Sequence, residues 1–155
     1  MTRQAKFPTR RLVLLGGAAA LAAGGVYWWR ATPPYYGGAK LTVAQAHEAA
    51  ASGDVVLVDI RTPREWAQTG VPEGAHPIDM RRDDFLATLS QVAGTDKGRP
   101  IAVICARGVR SARLSRALTE AGYTNIVDVP EGMLGSAAGP GWLKTGLPVA
   151  AVEEG

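Results

Sequence analysis

The sequence predicts an α/β fold on a mostly parallel central sheet, preceded by a hydrophobic N-terminal helix. Nearly continuous apolar runs at Val55 to Ile60, Ile101 to Ile104 and Ile126 to Val129 read as strands buried on both faces, the mark of parallel sheets. Helical patterns lie between these runs, as crossover connections on both faces of such a sheet require. A long uncharged stretch, Leu12 to Trp29, stands apart from this alternation at the N-terminus.

The N-terminal stretch comes first in the chain. Leu12 to Trp29 is 18 residues without a charge; as a helix it would be about 27 Å long, close to the bilayer core. Thr9-Arg10-Arg11 precedes it and Tyr27-Trp28-Trp29-Arg30 ends it. A basic region before an apolar run is the pattern of an export signal, and the paired arginines resemble a twin-arginine signal. Terminal aromatics favour the membrane–water interface. Two readings stay open. The segment is cleaved, with Ala20-Leu21-Ala22 as a small-residue site, or it remains as a transmembrane helix. Both place the folded part outside the cytoplasm, in the periplasm or anchored to the inner membrane facing it. The expected organisation is 1–30 as signal or anchor, 31–40 as a Pro/Gly-rich linker, 41–150 as the globular domain and 151–155 as a tail.

Within the globular part, Thr42 with Gln45 forms a capping-box pattern and predicts a helix to about Ser52. Gly53-Asp54 breaks it before the first central strand. Thr62-Pro63-Arg64-Glu65 repeats the capping pattern, with Pro at the first helical position, and predicts a short helix to about Gln68. Gly70 to Pro77 is a turn-rich loop leading to a small strand near Ile78. Asp83 or Asp84 is a cap for a helix to about Val92. A loop from Gly94 to Pro100 leads into the strand ending at Cys105. Ser111 to Ala121 is a helix stopped by Gly122, Ile126 to Val129 a third strand, and Glu131 to Ala138 one more short helix. Trp142 and Leu147-Pro148-Val149 are expected to pack back on the domain.

Charge narrows the choice of partners. The chain has 17 Lys+Arg against 14 Asp+Glu, but Arg3, Lys6, Arg10, Arg11 and Arg30 lie within the first 30 residues, which hold no acid. The remainder is slightly acidic, which argues against a nucleic-acid partner. A single cysteine excludes an internal disulfide. His47 and His76 are too far apart in sequence to suggest a zinc site and are expected at the surface or in loops, so no metal or cofactor is expected.

That cysteine carries the functional reading. Cys105-Ala106-Arg107-Gly108-Val109-Arg110-Ser111 follows a buried strand and opens a helix. Loop N–H groups and the positive end of the helix dipole favour a thiolate there. Sites in parallel sheets lie beyond the carboxyl ends of strands, where Cys105 and Asp59 both fall. A lone cysteine on an apolar strand is usually a small core residue; the glycine and the two arginines of the loop reverse that reading. Arg113 and Arg116 continue at helical spacing as an exposed basic face.

Val58-Asp59-Ile60-Arg61, Glu65-Trp66, Gly74-Ala75, the cysteine loop, Gly122-Tyr123 and Glu131-Gly132-Met133, in this order, resemble a single-domain rhodanese over about Leu41 to Pro148. The resemblance implies a three-layer α/β fold and a sulfurtransferase. Cys105 would take a sulfane sulfur from an anionic donor such as thiosulfate and pass it to a thiol or cyanide. The Ala106, Arg107, Gly108, Val109 and Arg110 amides would cradle the sulfur. Arg107 would attract the donor, while Arg110 would fix the loop or help hold the anion. Asp59 and Arg61 would form a supporting ion pair. Four residues separate Cys105 from Arg110, whereas the related phosphatases carry five, so the shorter cradle disfavours a small phosphatase or arsenate reductase. A sulfur-carrier or sensing module serving a partner protein remains the alternative. One departure stands out: Thr69-Gly70-Val71 occupies the place where many rhodaneses carry Gly-His-Ile.

Overall fold

The computed structural model describes residues 10–152, with side chains described from residue 21 onward. Two compact units divide the chain, Met1–Thr32 and Pro33–Gly155. Within the first, helix α1 spans Arg10–Ala31. Residues 1–9 of the expected signal or anchor lie outside the described residues, while its uncharged run falls within α1. Among the described residues no helix is long and apolar enough to cross a membrane, so the structure lends the transmembrane reading no support.

The second unit runs β1 (Ala39–Lys40), α2 (Val43–Ser52), β2 (Val56–Asp59), α3 (Pro63–Thr69), β3 (Val71–Pro72), β4 (His76–Pro77), α4 (Phe85–Ala93), β5 (Ile101–Ile104), α5 (Val109–Glu120), β6 (Ile126–Val129) and β7 (Val149–Ala150). Five strands form one sheet in the order β1-β6-β5-β2-β4, every pairing parallel. The three longer strands, β2, β5 and β6, are buried at every residue.

Period-two alternation sends successive side chains to two cores. Val56, Val58, Ile101, Val103, Cys105 and Ile126 join Phe85, Leu89, Ala112 and Leu118 beneath α4 and α5. Leu57, Ala102, Ile104, Val127 and Val129 join Val43 and Ala46 of α2, with Met133 and Trp142, on the opposite face. This is the expected layered α/β architecture.

Both capping boxes form as the sequence predicts: Thr42 with Gln45 and Thr62 with Glu65 exchange side-chain and backbone hydrogen bonds. Trp142 is fully buried and its Nε1 donates to the Pro148 carbonyl at 2.8 Å. Val149 and Ala150 then pair antiparallel with β3, so the C-terminal end does return to the domain.

Several local expectations change. The segment 31–40 supplies the edge strand β1, and Tyr36 is buried with its hydroxyl donating to the Ile126 carbonyl at 2.7 Å. Asp84 occupies the position before α4 without a side-chain capping bond. Helix α5 begins at Val109 rather than Ser111, because Gly108 turns the chain immediately before it. Residues 131–138 form turns, not a helix. Gly132 has φ +68, which a right-handed helix does not accept. The Met133 and Leu134 amides donate across to the Cys105 and Ala106 carbonyls, each at 2.9 Å, rather than along a helix. His47, expected at the surface or in a loop, stands edge-on to Trp142 with ring centroids 5.5 Å apart.

Candidate active site

Cys105 lies one residue beyond β5 and is 1% exposed. The chain then turns within three residues into α5. The turn ends on Gly108 at φ +83, and a Cβ there would collide with the Pro130 carbonyl oxygen. Only glycine meets both demands. The result brings the Gly108 N–H onto Sγ at 3.2 Å.

The loop's carbonyls are committed elsewhere. Cys105 O and Ala106 O accept from Met133 and Leu134. In a trans peptide plane the N–H lies opposite the C=O, so the Ala106 and Arg107 amides face away from that buttressing segment. Val109 and Arg110 open α5, where N–H groups have no intrahelical acceptor. Of the five expected cradle positions, Ala106, Arg107 and Gly108 form the turn and Val109 and Arg110 open α5, with Gly108 N–H the donor seen on sulfur.

Arg110 does not stand free. Its Nη1 and Nη2 donate to Glu65 Oε2 and Oε1 at 2.9 and 2.5 Å. Glu65 Oε2 also accepts from the Thr62 amide at 3.0 Å and the Thr62 hydroxyl at 2.8 Å. One carboxylate therefore caps α3 and pins the start of α5. Burial pushes the Glu65 carboxyl up, but hydrogen bonds from Arg110 and Thr62 outweigh it and hold it at about 2. Of Arg110's two expected roles, the geometry favours fixing the loop. Arg107 is exposed, with Nη1 3.4 Å from the Gly135 carbonyl, and is the loop cation directed toward solvent.

Asp59 and Arg61 pair as expected, in full burial. Arg61 Nε donates to both Asp59 carboxylate oxygens at 3.0 Å and Nη2 to Oδ2 at 2.7 Å. Arg61 also donates to Thr69 Oγ1 at 2.8 Å and the Gly70 carbonyl at 2.7 Å. Burial pushes the Asp59 carboxyl up against the pull of Arg61. The pair joins the end of β2 to the far end of α3, the helix that carries Glu65. It also ties down Thr69 and Gly70, where the sequence departs from the common rhodanese pattern.

Two site residues escape a linear reading. Glu65 was legible as a helix cap, not as the partner of an arginine 45 positions away. From sequence, Ser111 marks only the start of a helix. The structure places its Oγ 3.6 Å from Cys105 Sγ, fully buried. The signal available was its position six residues after the cysteine, on the helix face turned toward the strand.

A family model described as rhodanese-like domain matches residues 42–137. A sulfurtransferase of Allochromatium vinosum is 31% identical over 108 residues, covering 67% of this chain and 86% of that protein. A tRNA sulfurtransferase of Shewanella loihica is 34% identical over 87 residues, which are 56% of this chain but 17% of that larger protein. Among solved structures, the polysulfide-sulfur transferase homodimer of Wolinella succinogenes superposes with a TM-score of 0.59 at 25% identity, covering 86% of this chain and 90% of that one.

Proposed function

The chain belongs to the rhodanese-like domain family, and from that premise we propose that it moves a sulfane sulfur from an anionic donor such as thiosulfate, through a persulfide on Cys105, to a thiol or cyanide. The observation that carries this reading is the buried Cys105 thiol under the Gly108 N–H, in a four-residue loop whose closing arginine is fixed by Glu65.

In the first half-reaction the Cys105 thiolate attacks the outer sulfur of thiosulfate. The Sγ–S bond forms, the donor's S–S bond breaks, and sulfite departs with the bonding pair. Gly108 N–H faces the sulfur where charge is held, and such preorganised donors lower the barrier. The exposed Arg107 guanidinium can meet two sulfite oxygens through paired N–H groups. In the second half-reaction a thiolate or cyanide attacks the outer sulfur, the Sγ–S bond breaks, and the Cys105 thiolate returns. The protein ends in the redox state in which it began.

The test is thiocyanate formation from thiosulfate and cyanide, with Cys105→Ser alongside. Activity in the native chain and none in the variant is expected; an inactive native chain overturns turnover with this donor. The second reading, a sulfur-carrier module, draws on the Shewanella relative, in which the matched region is a small part of a tRNA sulfurtransferase. It predicts a stable persulfide with little thiocyanate.

The same proposal places this chemistry outside the cytoplasm, with residues 1–30 as export signal or inner-membrane anchor. Its support is Thr9-Arg10-Arg11, the uncharged run that follows, and the exposure of Tyr27, Trp28 and Trp29. Alkaline carbonate washing of membranes tests the anchor: retention is expected of an integral protein, and release excludes it.

A further inference from the structure

The carboxyl end of the sheet carries the same Asp-x-Arg device twice. At the end of β2, Asp59 accepts from the Arg61 amide at 3.1 Å and from Arg61 Nε and Nη2. Just beyond β4, Asp79 accepts from the Arg81 amide at 3.0 Å, from Arg81 Nε at 2.9 and 3.1 Å, and from Nη2 at 2.6 Å. The two locks match bond for bond, but their outer edges differ. Arg61 is buried, and its Nη1 and Nη2 also donate to Thr69 Oγ1 and the Gly70 carbonyl. Arg81 Nη1 donates to no acceptor among the described residues, and the side chain is 67% exposed.

The first lock closes on the protein; the second fixes a guanidinium and leaves one edge open. An ion pair at this exposure contributes little stability, so what the Asp79 lock supplies is orientation. A planar fork held in one direction loses less freedom on meeting a carboxylate, which it can engage through paired N–H groups. The pair is neutral as a whole, but the Asp79 side chain is only 12% exposed, so an approaching anion meets the cation.

The backbone relates Arg81 to the thiol. The Ile60 amide donates to the Ile104 carbonyl and the Ile78 amide to the Asp59 carbonyl, each at 3.0 Å. These bonds carry the parallel ladder past β5, β2 and β4, so Arg81 lies about two strand spacings from the Cys105 line, roughly 10 Å. The charges of Glu65 and Arg110 also reach it. The tie to Asp79 keeps the guanidinium from swinging across to Sγ. A thiosulfate ion seated on Sγ is too short to span that gap, whereas a longer molecule reaches it.

We propose that Arg81 binds a carboxylate on the sulfur acceptor, a thiol that carries this carboxylate several bonds from its sulfur. The inference rests on the reading of Cys105 as the sulfur carrier. With its carboxylate on Arg81, the acceptor's thiolate attacks the outer sulfur of the Cys105 persulfide. A new S–S bond forms, the Sγ–S bond breaks, and its electron pair stays on Sγ as the thiolate. The acceptor leaves as a persulfide, and no further oxidant or reductant takes part. Arg81 touches neither reacting sulfur; it selects which thiol is served, while Arg107 of the cysteine loop meets the donor.

The probes are mercaptohexanoate and mercaptohexanol, which differ only in the group at the far end from the thiol. The full chain is loaded with thiosulfate, excess donor is removed, and loss of the sulfur to each thiol is followed by intact mass. The ratio of the two rates is taken within each variant, so changes in loading or stability cancel. The native chain should favour the carboxylate, and Arg81→Ala should lower the ratio about three- to fivefold, the worth of one exposed ion pair. Arg81→Lys, which keeps the charge but not the fork, should recover part of it. A ratio that Arg81→Ala leaves unchanged overturns the assignment. A native chain that takes up no sulfur refutes the carrier reading instead. Arg81 is then judged by exchange of the free Cys105 thiol with the disulfides of the same two thiols: the same fall in ratio is expected, and an unchanged ratio overturns it.

Discussion

Glu65→Gln isolates the bond that holds the cysteine loop against α3. Glutamine keeps the side-chain length and can still accept from the Thr62 amide, so the capping box survives. What is lost is the charge on the acceptor of two Arg110 hydrogen bonds, at 2.9 and 2.5 Å. Hydrogen bonds to charged groups contribute about 1.5–3 kcal/mol. The two side chains keep 31% and 28% of their exposure, and solvent screening reduces the figure to about 1–2 kcal/mol. For a domain of this size that lowers the melting temperature by roughly 3–8 °C.

The pH dependence gives the experiment its sign. The Glu65 carboxyl titrates at about 2 in the fold against an ordinary 4.5. A depressed carboxyl contributes stability that is fully present above its unfolded value and is lost as pH falls toward the folded one. Thermal unfolding of the native chain and Glu65→Gln should therefore differ at neutral pH and converge as pH falls from 4.5 toward about 2. A gap that persists unchanged at the acid end refutes the ion pair as its source.

The remaining predictions concern the loop and its support. Arg107→Ala should raise KM for thiosulfate about two- to fivefold, the worth of one exposed charge, with kcat nearly unchanged; steady-state kinetics showing an unaltered KM would place that guanidinium away from the donor. Gly108→Ala combines a left-handed backbone position with a collision against the Pro130 carbonyl, and should cost at least about 1–3 kcal/mol and abolish persulfide formation. A variant that unfolds like the native chain in urea and keeps its activity contradicts the loop geometry. Asp59→Ala strands the Arg61 guanidinium in full burial and should destabilise the fold by about 3–5 kcal/mol. A loss under about 1 kcal/mol in urea unfolding would show that Thr69 and Gly70 suffice as its partners.

Local signals in the sequence had strong counterparts in the fold. Thr42 with Gln45 and Thr62 with Glu65 are self-contained capping devices, complete within four residues, and both formed. The Ile126 to Val129 run is bounded and buried on both faces, and β6 has those limits. The cysteine loop was legible because its turn, its charges and its helix start are adjacent in sequence. What escaped depends on tertiary placement. Strand β1 is two residues long after a Pro- and Gly-rich run, and exists only because β6 offers it an edge. The expected helix at 131–138 gave way because the amides of Met133 and Leu134 found acceptors on the cysteine loop. Glu65 and Ser111 gained their partners, Arg110 and Cys105, from α3, α5 and the end of β5 converging in space, which no spacing rule within one element could reveal.

The most direct test of sulfur carriage is the intact mass of the protein after thiosulfate treatment and removal of excess donor. The account predicts a gain of one sulfur atom in the native chain, none in Cys105→Ser, and loss of that atom on adding cyanide. A native chain whose mass never changes, with its Cys105 thiol still free to alkylate, would contradict Cys105 as a sulfur carrier.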